Sequence, residues 1–225
     1  MKKQINVLIV EDEPIFCNYL KDLLNRHAYE FGVVEFKHKI AHTCSDALKL
    51  IHQSVNSNPF DLVFLDISIP PSKIDKIYSG EDLGEEIRKF FTKTIITVIT
   101  NINCNYRINN LIANINPEGL IIKTDVDGED LKKAIKSVFN LNTYYSRSVL
   151  KVLRKQITCN IKLDKIDRDI LYFISQGYKM KDIIKEVHLS ISGLESRKRK
   201  LKDLFQIENG GDKKLIERAQ FHGFI

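Results

Sequence analysis

Five times within the first 140 residues, a short β-branched apolar run is followed by a stretch with helical spacing. This alternation leaves few folds open. The runs cover residues 5–10, 33–40, 62–65, 95–99 and 120–122, and several are apolar almost throughout, as strands covered on both faces are. The first four intervening stripes are Ile15, Tyr19, Leu20, Leu23 and Leu24; then Ala47, Leu48 and Ile51; then Leu83, Ile87, Phe90 and Phe91; then Ile108, Leu111, Ile112 and Ile115. The last is Leu131, Ala134, Ile135 and Val138. Five strand–helix units in sequence predict an α/β domain with a five-stranded, doubly wound parallel sheet over residues 1–140. In such sheets, ligands bind at the carboxyl ends of the strands.

Beyond residue 140 the pattern changes. Residues 141–162 read as a linker, with a short basic helix expected over 144–157 from the spacing of Val149, Leu150, Leu153 and Ile157. Residues 163–225 lose the strand signal and predict a small all-α domain with helices near 164–176, 179–188, 190–206 and 212–222. Gly177 and the pair Gly210-Gly211 stand at the breaks, where C-cap glycines are expected. Charge shifts at the same place. Residues 1–140 hold 17 Lys+Arg against 19 Asp+Glu, and residues 141–225 hold 18 against 10, within a chain of net charge +6. A slightly acidic front and a strongly basic back imply two modules with different partners, the second suited to nucleic acid or an anionic surface.

Several classes fall away. No run reaches the roughly 18 consecutive apolar residues of a membrane helix. The N-terminal apolar run meets Glu11-Asp12-Glu13 with no small-residue cleavage site, so a secretory leader is not expected. Cys17, Cys44, Cys104 and Cys159 are far apart and form neither a zinc motif nor a disulfide framework; ordinary thiols in a reducing cytoplasm are expected.

Polar groups concentrate at the predicted strand ends: Glu11 and Asp12 after the first, Asp66 after the third, Thr100 after the fourth and Lys123 after the fifth. In a doubly wound sheet these ends converge. Three carboxylates there repel one another unless a cation sits among them, and oxygen ligands with room for water suit Mg²⁺. With an ammonium and a hydroxyl added, the set makes a site for a phosphoryl group, and a carboxylate in it can act as nucleophile.

The motifs Val10-Glu11-Asp12-Glu13-Pro14, Leu65-Asp66-Ile67-Ser68-Ile69-Pro70, Val98-Ile99-Thr100 and Gly119-Leu120-Ile121-Ile122-Lys123 resemble those of a receiver domain of a two-component response regulator, which has a flavodoxin-like, CheY-like fold. The resemblance implies that Asp66 is the phosphoacceptor. It further implies that Asp12, Asp66 and the Ser68 backbone carbonyl bind Mg²⁺ directly, with Glu11 acting through water. Lys123 and Thr100 would contact the phosphoryl oxygens. The sequence departs from the family in three places. Residues 68–79 form a longer loop than usual, either a partner surface or a solvated insertion; Asn101 replaces a small residue; and Leu120 stands where a switch aromatic usually lies, which leaves the rotating-aromatic switch in question.

In the basic module, Leu194, Leu201 and Phe205, with the stem of Lys198, share one face of the third predicted helix; Ser192, Glu195, Ser196, Arg199 and Asp203 share the other. Ser190 or Ser192 can cap this helix, and Ser192 with Glu195 has capping-box spacing. Such a helix suits a major groove with cations on the flanking phosphates. Residues 163–225 resemble a LuxR-type (NarL-type) helix-turn-helix domain. The resemblance rests on Leu163-Asp164, Asp167-Arg168-Asp169-Ile170-Leu171, Gly177 to Ile184, Leu189 to Lys198, and Ala219 with Gly223-Phe224-Ile225. Gly193 replaces the usual Thr, and Arg197 the usual His. Base contacts are expected from Glu195, Ser196 and Arg199, phosphate contacts from Lys181, Arg197, Lys198, Lys200 and Lys202, and Ser192 is counted among the DNA-binding residues on the same face. The last helix offers Leu215, Ile216 and Ala219 either for dimer pairing or for packing within its own domain.

Together these features lead to a cytoplasmic, non-enzymatic transcription regulator. It would receive a phosphoryl group from a histidine kinase or phosphotransfer protein and bind double-stranded DNA as a homodimer, with no membrane partner. The alternative is a signalling receiver whose basic domain binds a protein or membrane. A haloacid dehalogenase-type phosphatase is disfavoured, because Asp66 follows the third strand and Ser68, not a second carboxylate, lies two residues on.

Overall fold

The computed structural model describes residues 3–55, 57–157 and 161–225; Cys159 and part of the expected linker lie outside them. The chain divides into two compact units, one of Met1–Ile102 with Leu111–Val149 and one of Asn103–Asn110 with Leu150–Ile225.

In the first unit, β1 (Lys3–Val10), β2 (Val33–Ala41), β3 (Leu62–Leu65), β4 (Ile95–Thr100) and β5 (Gly119–Ile122) pair in parallel in the order β2-β1-β3-β4-β5. Successive strand residues point to opposite faces. Ile5, Val7 and Ile9 of β1, Leu62 and Phe64 of β3, Ile99 of β4 and Ile121 of β5 join one buried cluster. Their cover comes from Leu20, Leu23 and Leu24 of α1 (Pro14–His27) and Leu131, Ala134 and Ile135 of α5 (Gly128–Phe139). The intervening residues Leu8, Val10, Val63, Leu65, Ile96, Val98, Leu120 and Ile122 are equally buried. On this face lies α3 (Gly80–Phe90), pressed close enough that a Cβ at Gly84 would come within 3.2 Å of Leu65 Cδ2; α2 (Cys44–Val55) precedes β3. Burial on both faces explains the nearly continuous apolar runs. Three members of the expected stripes fall off the buried face: Ile15 is 86% exposed, Phe90 43% and Tyr19 40%. The fourth stripe is split between α4 (Asn105–Asn110) and a π-helical turn at Leu111–Ile115.

The sheet has six strands, not five. Tyr144–Tyr145, expected at the start of a helix, form β6 and pair in parallel with Gly119 and Leu120. Backbone demand overrides helical spacing here: the outer edge of β5 needs partners, and Tyr144 N and Ser146 N donate to Glu118 O and Leu120 O at 2.9 and 3.0 Å. The helix starts later, as α6 (Arg147–Ile157).

In the second unit, α7 (Lys165–Ser175), α8 (Met180–Glu186), α9 (Ile191–Leu204) and α10 (Asp212–Phe221) follow the four predicted helices. Ile170, Leu171, Ile174, Ile183, Leu194, Leu201, Phe205, Leu215 and Ala219 form their shared core. Leu215 and Ala219 are fully buried there, which removes them as a dimer surface, while Ile216 packs against the core only in part. Gly177 follows α7 with φ +77°, as a C-cap glycine does. Gly210-Gly211 play another part: α9 is closed by Gln206 at φ +55°, with Ile207 N bonded to Lys202 O, and Gly211 is the N-cap of α10.

Candidate functional site

The carboxyl ends of β1, β3, β4 and β5 bring Glu11, Asp12, Asp66, Thr100 and Lys123 to one sheet edge. Lys123 Nζ lies 2.9 Å from Glu11 Oε2 and 3.0 Å from Asp66 Oδ2, and 4.5 Å from the centre of the Phe16 ring. Glu11 and Asp66 are buried, whereas Asp12 is exposed. Asp66 Oδ1 accepts from Ile67 N at 2.5 Å and Ser68 N at 3.0 Å. The Thr100 side chain is buried, and its Oγ1 accepts from Ile102 N at 3.3 Å.

Electrostatics follow from this crowding. Burial pushes the Glu11 carboxyl up to about 7, with the Asp66 charge adding to the rise and Lys123 opposing it. Burial also works against the Lys123 ammonium, but its bonds to Glu11 and Asp66 raise it above the usual lysine range. Carboxylate oxygens of Glu11, Asp12 and Asp66 lie within 4.8 Å of one another, so the trio can converge on one cation. An all-oxygen set with one exposed member leaves room for water, as a hard divalent ion requires.

The sequence did not disclose what supports this pocket. His42 Nδ1 bonds to Glu11 O at 2.7 Å and holds the turn that follows β1. Gly80 opens α3 against the backbone of the pocket: a Cβ there would lie 2.2 Å from Asp66 O. The loop of residues 68–79 thus returns to where it began, with Gly80 N bonded to Ile67 O. Within it, Ser72 and Ile77 form a bridge that presents Ile74, 94% exposed.

In the second unit, Ser190 caps α9 by accepting from Gly193 N at 3.1 Å. The Ser192–Glu195 capping box is therefore not formed, since Ser192 lies inside the first turn. Ser192, Glu195, Ser196 and Arg199 are exposed together, as are Lys181 and Lys200, while Lys202 is half-buried. Two other basic residues are engaged within their own unit. Arg197 Nη1 bonds to Asp164 Oδ2 at 2.5 Å and to Asp167 Oδ1 at 2.8 Å, and Lys198 Nζ bonds to Asp212 at 2.8 Å. Their acidic partners come from α7 and α10 and their flanks, which periodicity along α9 alone could not indicate.

Residues 7–136 match the response regulator receiver domain, and the chain belongs to that family. It is 24% identical over 208 residues to the transcriptional regulatory protein RcsB of Escherichia coli strain K12, covering 91% of this chain and 90% of that protein. It is 24% identical over 172 residues to the oxygen regulatory protein NreC of Staphylococcus aureus strain JH9, covering 71% and 76% respectively. The fold is that of RcsB from Salmonella enterica serovar Typhimurium, solved bound to promoter P1flhDC in the presence of the phosphomimetic BeF3−. That match has a TM-score of 0.61 and 21% identity over 97% of this chain and 99% of that one. Among the described residues, no helix is long and apolar enough to cross a membrane.

Proposed function

We propose that this chain is a cytoplasmic, phosphorylation-controlled transcription regulator. Its receiver comprises residues 1–140 and takes its edge strand, Tyr144–Tyr145, from the linker segment 141–162, and its helix-turn-helix domain is 163–225. The observation that carries the phosphorylation reading is the 3.0 Å pairing of Lys123 Nζ with Asp66 Oδ2, beside two further carboxylates within reach of one cation. In this reading, an Asp66 oxygen attacks the phosphorus of a phosphohistidine on a histidine kinase or phosphotransfer protein; the P–N bond breaks as the acyl phosphate forms. Asp12, Asp66 and the Ser68 carbonyl would hold Mg²⁺, and Glu11 would act through water. The ion, when bound, offsets charge on the transferring group. Lys123 then pairs with a phosphoryl oxygen, and Thr100 donates to another. The exposed Glu195, Ser196 and Arg199 meet base edges of double-stranded DNA, with Ser192 on the same DNA-facing side, and Lys181, Lys200 and Lys202 meet phosphates. The remaining expected phosphate contacts, Arg197 and Lys198, each have acidic partners in their own unit. RcsB is solved as two dimers bound to two parallel DNAs, which supports a homodimer on DNA for this chain as well.

The test is labelling by phosphoramidate with Mg²⁺. A single hydroxylamine-sensitive phosphoryl group is expected, absent in Asp66→Asn; full labelling of that variant would refute the assignment. Duplex binding that weakens steeply with salt is expected of the full chain. Salt-insensitive or absent duplex binding would favour a protein or membrane partner.

A further inference from the structure

Lys123 begins a single 3₁₀ turn, Lys123–Asp125, and both ends of that turn are fastened to the segment that follows α5. On one side, Ile122 N donates to Ser146 Oγ at 3.1 Å. On the other, the same Ser146 hydroxyl donates to Asp125 Oδ2 at 2.7 Å. Asp125 also accepts from Ser148 N at 2.7 Å and Ser148 Oγ at 2.8 Å, and so fastens the first turn of α6. Ser146 is 2% exposed, so its hydroxyl has no water to turn to if either partner leaves. Burial works against the Asp125 carboxylate, yet the bonds from Ser146 and Ser148 hold it below the usual range, which means the anion is the bound form.

We propose that Asp125 and Ser146 are positioning residues that bracket Lys123 and tie its setting to the start of α6. The proposal rests on phosphorylation at Asp66. Once the phosphoryl group is attached, its oxygens replace the Asp66 carboxylate as the partner of Lys123 Nζ. Lys123 must re-aim, and its main chain is one short turn from the clasp. The turn is held at Ile122 N and at the Asp125 carboxylate by the one Ser146 hydroxyl, so a displacement of the Lys123 main chain bears on both bonds. The clasp therefore changes with it, and the first turn of α6 reports the change. This gives the receiver an output route that needs no rotating aromatic, in a chain that carries the fully buried Leu120 at that position.

The experiment uses the full chain with Mg²⁺ and beryllofluoride, followed by hydrogen–deuterium exchange across residues 144–150. In parallel, phosphoramidate labelling monitors Asp66. In the wild type, exchange at the Ser146 and Ser148 amides should shift by about tenfold on adding beryllofluoride, as expected for a local opening equilibrium moved by a bound ligand. In Asp125→Ala the shift should vanish, and Asp66 labelling should slow severalfold while still reaching completion. Ser148→Ala, which removes one bond of the clasp, should give an intermediate shift and guards against a folding defect in the stronger variant. A merely structural clasp would lower the melting temperature in these variants yet keep the beryllofluoride response, and that result would overturn the proposal. So would a labelled Asp66 with no shift at 144–150 in the wild type. Failure of Asp66 to label would overturn the phosphorylation reading and the clasp with it.

Discussion

Arg197 Nη1 lies 2.8 Å from Asp167 Oδ1, and Asp167 is 1% exposed. One guanidinium of the basic helix is thus committed to the core of its own domain. Burial works against the neighbouring Asp164 carboxylate, but its bond to Arg197 holds it below the usual range. Removing the cation leaves Asp167 buried without its closest charge partner; Lys200 Nζ stands off at 3.8 Å. Arg197→Ala should destabilise the helical unit by about 3–5 kcal/mol, the usual cost of breaking a buried pair on one side. Urea unfolding followed by a probe in that unit measures it, and a change under about 0.5 kcal/mol, the ordinary surface value, would contradict the geometry.

Arg199 and Lys202 should separate by role. Arg199 is exposed beside Glu195 and Ser196. Arg199→Ala should leave stability unchanged and relax preference at one base pair by about 1–3 kcal/mol. Lys202→Ala should weaken all duplexes about equally and flatten the salt slope by about one unit. Binding assays on a selected and a random duplex across a salt series distinguish the two. An equal loss for Arg199→Ala on both duplexes would make it a phosphate contact.

Burial raises Glu11 from its ordinary 4.5 to about 7, with Asp66 contributing and Lys123 opposing. Without metal, the folded state therefore holds this proton more tightly than the unfolded chain. The contribution to stability is full below pH 4.5 and is lost as pH rises through about 7. A cation must displace the same proton, so Mg²⁺ affinity should rise by at most about tenfold per pH unit below neutrality and level off above it. Calorimetric titration from acid to mildly alkaline pH tests this. Glu11→Gln should flatten the profile, and a flat wild-type profile would place the proton elsewhere.

Gly80 allows α3 to start against the Asp66–Ile67 backbone: an added Cβ would meet Asp66 O at 2.2 Å and Ile67 Cα at 2.7 Å. Both contacts are main chain, which cannot swing aside. Gly80→Ala should cost about 1–3 kcal/mol of stability, as overpacking does. It should slow Asp66 labelling by on the order of tenfold or more, since reacting groups tolerate little displacement. Normal labelling kinetics in a folded variant would contradict the coupling of this helix start to Asp66.

The strand–helix alternation was legible because each sheet residue is buried by one of two layers, which forces apolar runs; β3 was read from 62 to 65 and forms at Leu62–Leu65. Glu11, Asp66, Thr100 and Lys123 were legible for a related reason. Polar residues that end apolar strands have one place to go. Ile15 was misread because helical spacing marks a stripe and not its edges. Tyr144 was misread because the need of β5 for a neighbour is not written in the spacing around Tyr144. The Arg197–Asp167 pair joins α9 to α7 across 30 positions of sequence, and no local pattern carries a contact of that kind.

The sixth strand has a consequence for how this chain is made. β5 is flanked by β4 on one side and by Tyr144–Tyr145 on the other, so the outer edge of β5 stays unpaired until residues beyond α5 are in place. During synthesis the first unit therefore passes through a stage with an unpaired parallel edge, open to pairing with another chain. A fragment ending at residue 140 would be left at that stage permanently. A fragment carried through Val149 would keep the ladder and bury the Ser146 hydroxyl, and it should be the more soluble and less self-associating of the two.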